Sequence, residues 1–184
     1  MEKEELDEVL RLHALWFEDK TQGKRADLEG ADLQGVDLQD ADLSFANLRE
    51  ADLSFANLQG ANLRSANLSF TDLPDADLRG ADLREANLKE ADLHDADLRN
   101  TNLRGADLRG VDLRDANLQW ADLRFSNLQE ANLQDTDLRD ANMQGVDLSF
   151  ADLRGADLRG ADLRGASLLK SGLQIAQERG AITE

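Results

Sequence analysis

Residues 151–165 read ADLRG ADLRG ADLRG, and a five-residue unit of this kind repeats without insertion from Ala26 to Leu173. The central residue is leucine in 29 of the 30 units and Met143 in the remaining one. Alanine usually stands two residues before the centre, and aspartate or asparagine usually stands between the two. Self-similarity at a short, fixed period is typical of repeat architectures, in which each unit packs on its neighbours.

A period of five does not fit an α-helix. Five residues turn a helix by about 500°, so successive leucines would lie about 140° apart and form no apolar stripe. The frequent aspartate, asparagine and glycine residues also disfavour a helix. In an extended segment, by contrast, the alanine and the leucine two residues later point to the same side. The small or polar pair that follows suits a corner. The sequence therefore predicts an all-β solenoid, while the period alone leaves the number of corners per turn open.

Runs of A(D/N)LXX units resemble the pentapeptide-repeat family, including its bacterial and cyanobacterial members, and the run covers about four-fifths of the chain. The resemblance implies a right-handed quadrilateral β-helix with four pentapeptides per coil, and thus about 7.5 coils for 30 units. It also implies that the central residue and the smaller residue two positions before it face inward. We expect the β-helix at 26–175, a capping helix and lead-in at 1–25, and a tail at 176–184.

Apolar residues recur at helical spacing in the first 25 residues, after an acidic start. Negative charge favours a helix N-terminus, and the spacing places the apolar side chains on one stripe. A solenoid has unpaired edges at both ends, and repeat proteins cover them with caps. We therefore predict an N-terminal α-helical cap, on which His13 is a structural residue. The predicted cap residues are Leu6, Val9, Leu10, Trp16 and Phe17.

The repeat decays after Leu168, and no obvious polar helix follows to cover the last coil. Two alternatives remain: the tail folds over the end, or two chains meet there as a homodimer. An exposed apolar end favours self-association. The residues predicted for this contact are Leu169, Leu173, Ile175 and Ile182.

Composition restricts the partners and the location of the protein. The net charge of −17 argues against nucleic acid or an anionic membrane surface as a direct partner. The absence of cysteine excludes disulfides and thiolate metal sites. The chain has no apolar run long enough to span a bilayer, and its start does not resemble a signal peptide. We expect a soluble, cytoplasmic protein.

One face of the predicted rod is strongly acidic. With four units per coil, the units centred on Leu33 and every fourth unit to Leu153 share a face with ten carboxylates and two arginines, for a net charge of −8. We call it the acidic face. Its carboxylates belong to Asp32, Asp52, Asp72, Asp75, Asp92, Asp95, Asp112, Asp115, Asp135 and Asp152. Since aspartate is part of the repeat unit, a solvated exterior and an interaction surface both remain open.

Catalysis finds no support in the sequence. A filled solenoid has no deep cavity, and the chain has neither cysteine nor tyrosine. His94 lies among the acidic-face carboxylates, but one histidine beside hydrated carboxylates does not make a metal cage. We therefore expect no enzymatic activity, no cofactor and no metal.

Two functions remain. The first is a non-enzymatic structural scaffold that binds a protein partner of unknown identity. The second follows from a resemblance to the quinolone-resistance branch of the family, which implies a DNA-mimicking inhibitor of DNA gyrase, a type II topoisomerase. The chain shares the acidity of that branch. It has leucine centres where phenylalanine is frequent in the branch, and no loop is inserted between coils. These differences favour the scaffold.

Overall fold

The computed structural model, which describes residues 1–183, has a helix at each end and a long run of turns between them. Helix α1 spans Lys3–Glu18 and helix α2 spans Lys170–Glu178. In the repeat region each unit contributes one bridge residue, at the position before the central leucine, to isolated parallel β-bridges. No longer strand forms within residues 1–183.

The bridges define the register of the coils. Each one in the repeat joins residues 20 positions apart, as in Asp27 with Asn47 and Asn47 with Asn67. The backbone hydrogen bonds keep this register, for example from the Leu78 N–H to the Asp97 carbonyl at 2.8 Å. Four five-residue units therefore form one coil, and equivalent units stack at the spacing of parallel strands, about 4.8 Å.

A tight turn follows each central leucine and makes a corner. In the unit at 76–80, the Ala81 N–H donates to the Leu78 carbonyl at 3.0 Å. Gly80 has a φ of 68°, as the third residue of a type II turn requires. The Asp77 carboxylate accepts a hydrogen bond from the Arg79 N–H at 3.1 Å. Aspartate and asparagine recur before the leucine because their side chains close this corner.

The last residue of a unit keeps a positive φ even where it is not glycine. Within residues 1–183, 18 other residues share this conformation, including Trp120 at 59° and Glu130 at 60°. Left-handed backbone costs roughly 1–2 kcal/mol for residues with a Cβ. The next coil offsets this strain, since the Glu130 N–H donates to the Ser149 carbonyl at 3.0 Å.

The core is a column of leucine and alanine. The central residues from Leu28 to Leu163, including Met143, are buried. Each buried leucine contributes roughly 1.5–3 kcal/mol. Where threonine replaces the inward alanine, its hydroxyl finds a carbonyl: Thr71 donates to Leu48 at 2.9 Å. The core thus accepts hydroxyl groups because they are hydrogen-bonded.

Helix α1 lies against the first coil. Leu6 is buried in the common core. The Ala26 N–H donates to Nδ1 of the buried His13 at 3.0 Å, and the Met1 ammonium donates to the Asp32 carbonyl at 2.7 Å. Burial lowers the pKa of His13, which keeps the ring neutral and able to accept this bond. His13 is therefore a structural residue that joins the helix to the first unit.

The remaining predicted cap residues also meet the first coil. Val9 and Leu10 are half-buried and pack on the core. The rings of Trp16 and Phe17 each lie 6.4 Å from the ring of Phe45, at the last corner of the first coil. These contacts support a capping role, which stays a proposal.

The C-terminal boundary of the β-helix needs correction. The expected limit at residue 175 is wrong, because helix α2 begins at Lys170 and contains Leu173 and Ile175. A further repeat would place the β-branched Ile175 at the corner with a positive φ, which is unfavourable for such a residue. Gly172 also lacks the side chain that closes a corner.

The end of the chain folds over the last coil. Ala176 of helix α2 is fully buried. The Ile182 N–H donates to the Ala161 carbonyl at 2.8 Å, and the Leu163 N–H donates to the Ile182 carbonyl at 2.7 Å. In this single chain the tail therefore folds over the end of the rod, which is the first of the two alternatives.

Candidate interaction surface

The structure stacks the aspartates of the acidic face in one ladder. Parallel bridges connect Asp32, Asp52, Asp72, Asp92 and Asp112 in five consecutive coils, and the ladder continues through Asn132 to Asp152. Equivalent positions lie one coil apart, about 4.8 Å. Like charges at this distance repel by about 0.9 kcal/mol in water before screening. The local partners of each carboxylate therefore decide how much charge the face presents.

Two carboxylates of this ladder are neutralised within their own units. The Arg114 guanidinium lies 2.6 Å from the Asp112 carboxylate, and Arg154 lies 2.6 Å from Asp152. The hydrogen bond from Arg154 lowers the pKa of Asp152. Paired in this way, Asp112 and Asp152 add little to the charge of the face.

The first four aspartates of the ladder have no arginine partner within residues 1–183. Asp52 accepts a bond from the Ser54 N–H at 2.9 Å. Asp92 Oδ1 lies 2.8 Å from Nδ1 of His94, and this bond, with the surrounding carboxylates, raises the pKa of His94. His94 therefore acts as the one titratable counter-charge in this part of the ladder.

Asp72 is the least compensated member. Pro74 occupies the position whose N–H closes the corner in other units, and proline has no N–H to donate. Burial, together with the charges of Asp52 and Asp92, raises the pKa of Asp72. Pro74 thus leaves an exposed carboxylate without a turn N–H in the middle of the face.

A second column of carboxylates lies at the corners. Asp75, Asp95, Asp115 and Asp135 are exposed and have positive φ values between 55° and 59°. Their backbone N–H groups bond to the next coil, as in Asp75 to the His94 carbonyl at 3.1 Å. In the described residues their carboxylates make no ion pair, so all four charges face solvent.

Local pairing of aspartate with arginine is the feature that a count of charges misses. In the D-L-R units the guanidinium folds back on the aspartate of its own unit, as Arg124 does on Asp122 at 2.5 Å. The same pairing occurs in ten units of the described chain. The D-L-R triplet is the sequence signal that could have revealed it. The unpaired carboxylates of the acidic face therefore stand out more clearly than its net charge suggests.

The predicted self-association residues do not form one patch. Leu169 is 48% exposed and lines a hollow of about 110 Å³ with Ile175 and Phe150. Phe150, which sequence reasoning did not select, is 71% exposed. Ile182 is instead beside Asp162 in the terminal bridge, and Leu173 lies on helix α2. An apolar area at the C-terminal end thus centres on Phe150 and Leu169.

Residues 1–183 show neither a metal centre nor a membrane-spanning helix. No group of histidine, aspartate and glutamate side chains there has an arrangement suited to a metal ion. Neither described helix has the length and apolar character needed to cross a bilayer.

The sequence of this chain matches one protein-family model. The model of the pentapeptide repeats matches the chain in eight copies. The matched residues are 26–64, 61–100, 91–129, 116–149 and 131–169. None of the curated proteins compared with this chain matches it.

Several solved structures are similar to this chain. HetL, a pentapeptide repeat protein involved in heterocyst differentiation regulation from the cyanobacterium Nostoc sp. strain PCC 7120, is 32% identical, with 91% of each chain covered and a TM-score of 0.30. A pentapeptide repeat protein, alr5209, also from Nostoc PCC 7120, is 36% identical over 59% of this chain and 84% of its own, with a TM-score of 0.40.

QnrB1, a plasmid-mediated fluoroquinolone resistance protein, is 23% identical, with 85% of this chain and 91% of QnrB1 covered and a TM-score of 0.43. A likeness at this level does not support a shared function. The family match extends over most of the chain, and membership of this family indicates the right-handed quadrilateral β-helix expected from the sequence. The chain belongs to the pentapeptide-repeat family.

Proposed function

We propose that this protein is a non-enzymatic, cytoplasmic scaffold whose acidic face binds a basic surface of a protein partner. The observation that carries the proposal is the set of eight carboxylates on that face without an arginine partner in the described chain. They form two columns, Asp32, Asp52, Asp72 and Asp92 in the ladder and Asp75, Asp95, Asp115 and Asp135 at the corners. A rigid rod holds these charges in place, so binding does not require their ordering.

A DNA-mimicking inhibitor of gyrase is the second candidate. The spacing of the carboxylates favours it: where the columns overlap, at Asp72 with Asp75 and at Asp92 with Asp95, two charges occur per coil. That is about one charge per 2.4 Å of rod, against about one per 1.7 Å for duplex DNA. The overlap extends over two coils only, which is short for a DNA mimic. We therefore keep the scaffold as the principal proposal.

The decisive variant changes the four corner aspartates of the acidic face, Asp75, Asp95, Asp115 and Asp135, to asparagine. It removes four charges and breaks no ion pair of the described chain. The matched control removes four corner carboxylates from the other faces. The control substitutions are Asp40→Asn, Glu85→Gln, Glu130→Gln and Asp140→Asn, of which, among the described residues, only Glu85 has an ion-pair partner, the exposed Arg64 at 3.8 Å. Aspartates such as Asp82 are unsuitable as controls, because their loss would leave a paired arginine without its carboxylate.

The two variants are compared with the unmodified chain by affinity capture from a bacterial lysate at low and high salt, and by a gyrase supercoiling assay. The scaffold proposal expects a partner that the control variant keeps and the acidic-face variant loses, with weaker capture at high salt. Gyrase supercoiling should proceed normally. Equal capture by both variants would refute the acidic face as the binding surface. Inhibition of gyrase that depends on the acidic face would instead favour the DNA mimic.

Any homodimer would use a different surface. The exposed apolar residues Leu169 and Leu173 and the neighbouring Phe150 lie at the C-terminal end, away from most of the unpaired carboxylates. We include a C-terminal self-contact, with Ile175 and Ile182 at its margins, in the proposed function. Sedimentation of the unmodified chain and of the Leu169→Ser variant tests it, since only the former should dimerise.

A further inference from the structure

The first coil leaves backbone hydrogen-bonding groups open on the side that no other coil covers. In later coils, each unit donates through one N–H and accepts through two carbonyls on that side, as Asn57 donates to the Val36 carbonyl at 2.9 Å and accepts from Leu38 at 2.8 Å. The same groups of Asp37, one coil earlier, have no partner within residues 1–183. They form a short parallel-strand edge.

Helix α1 covers only part of this edge. It is hydrogen-bonded to the first two units through Ala26 and Asp32, and its aromatic rings reach the corner of the fourth unit, which leaves the third unit without such a contact in the described chain. Val36, in the third unit, is half-exposed, whereas Ala56, which holds the equivalent position in the next coil, is fully buried. A cleft of about 590 Å³ lies between the helix and this edge, and its lining is partly apolar, including Leu6, and partly charged. The cleft thus places the partly exposed Val36 beside unpaired strand groups, while the central leucines of the second and third units are buried.

The other end of the chain shows how such an edge is filled. After a turn at Gly180, which has a φ of 82°, the chain runs along the last coil, with Ile182 bridged in parallel to Asp162. Gly160 donates to the Gly180 carbonyl at 3.1 Å. Three residues are therefore enough to continue the ladder on a terminal unit of this rod.

We propose that the cleft at the N-terminal end binds an extended peptide of a partner protein, which adds a parallel strand at Asp37. Main-chain bonds to the Asp37 N–H and carbonyl would supply affinity, and alternate side chains would supply specificity. A small and a large apolar residue, two apart, enter the cleft beside Val36. The charged side chains lining the cleft are Asp7, Asp32, Asp37 and Lys3, so the outward residues of the peptide are basic.

The probe is a fluorescein-labelled peptide of two alanine-lysine-leucine-lysine-glycine units, with a scrambled peptide of equal composition as control. Binding to the full chain is measured by fluorescence anisotropy, and hydrogen exchange locates it. We expect the ordered peptide to bind more tightly than the scrambled one and to slow exchange at 36–40. A peptide with N-methylated backbone nitrogens at both leucines should lose binding, because the leucine N–H is the group that donates to the Asp37 carbonyl, as Leu38 donates to Asn57.

Asp37→Asn and Asp27→Asn form a matched pair of variants. Both aspartates are in the first coil and accept a bond of 2.9 Å from an asparagine of the next coil, but only Asp37 lines the cleft. Asp37→Asn should weaken peptide binding about threefold at low salt, and Asp27→Asn should leave it unchanged.

Three results would overturn the proposal. Equal affinity for the scrambled peptide would show attraction by charge alone. Protection at the acidic face instead of 36–40 would place the peptide elsewhere. A dimer that buries the Asp37 edge in sedimentation and exchange experiments would identify a second copy as the occupant in place of a partner peptide.

Discussion

Asp72→Asn should stabilise the protein at neutral pH. Asp72 lies between Asp52 and Asp92 in the ladder, and Pro74 gives it no N–H donor. Because burial and these two neighbours raise its pKa, its ionisation opposes folding. Asparagine keeps the shape of the side chain and removes the charge. Its amide can also donate to the preceding aspartate, as Asn57 does to Asp37 at 2.9 Å.

The magnitude follows from the stacking distance. Each charged neighbour at about 4.8 Å costs about 0.9 kcal/mol in water, so the two neighbours of Asp72 cost about 1.7 kcal/mol. A Debye length of about 8 Å at physiological salt reduces this to about 1 kcal/mol. We therefore expect Asp72→Asn to raise the free energy of unfolding by about 1 kcal/mol, and by more at low salt.

The sign of the pH dependence is defined by the raised pKa. The protonated form of Asp72 favours the fold, and this advantage is lost as pH rises through the folded-state pKa. The gain from Asp72→Asn is thus largest at neutral pH and disappears below about pH 3.9, the unfolded value. Asp152→Asn is the control with the opposite sign. Its folded pKa is lowered by Arg154, so its contribution exists at neutral pH and is lost on acidification.

Urea unfolding followed by circular dichroism measures both variants between pH 3 and pH 7, a range about the unfolded pKa of aspartate. A neutral or destabilising effect of Asp72→Asn at pH 7 and low salt would refute the predicted charge repulsion. A change of stability in the same direction in both variants would refute it as well.

Two other predictions concern the corners and the N-terminal helix. Gly80→Ala should lower the free energy of unfolding by roughly 1 kcal/mol, because left-handed strain of about 1–2 kcal/mol exceeds the entropic gain in the unfolded chain. A Cβ there meets no atom within 4 Å, so a neutral result in urea unfolding would contradict the strain. Replacing Trp16 and Phe17 together with serine should cost roughly 2 kcal/mol and promote aggregation, visible by light scattering, because the half-buried Trp16 loses its contact with Phe45. A soluble, equally stable double variant would show that α1 is not a cap.

The inward positions could be predicted from the residues, whereas the corners could not. Alternation places alanine and leucine on one side of any extended segment, whatever its neighbours do. Local propensity does not predict the positive φ of Phe125 or Trp120, since bulky residues rarely adopt this conformation. This backbone conformation depends on the next coil, whose carbonyls accept hydrogen bonds from the N–H groups of these residues. The number of units per coil also could not be derived from the period, and only the family resemblance implies it.

The position of helix α2 shows that the spacing of the leucines alone does not predict where the β-helix ends. Leu173 keeps the spacing of a central leucine, and spacing alone therefore predicts a repeat that continues to residue 175. Spacing alone does not make a unit, because the corner also needs an acceptor side chain before the leucine and a tolerant residue after it. Gly172 and Ile175 fail at these two positions, and the chain turns into helix α2 instead.

The charge of the acidic face depends on the residue that follows each central leucine as well as on the aspartates themselves. In its first four coils the residue after the leucine is Gln34, Ser54, Pro74 or His94, none of which can form the bidentate pair that arginine makes. On the other three faces, 8 of 12 aspartate units carry that arginine, against 2 of 6 on the acidic face. A face shaped only by the repeat unit would show similar fractions. The run of four successive aspartates without that arginine, from Asp32 to Asp92, is therefore what separates this surface from the ordinary exterior of the rod.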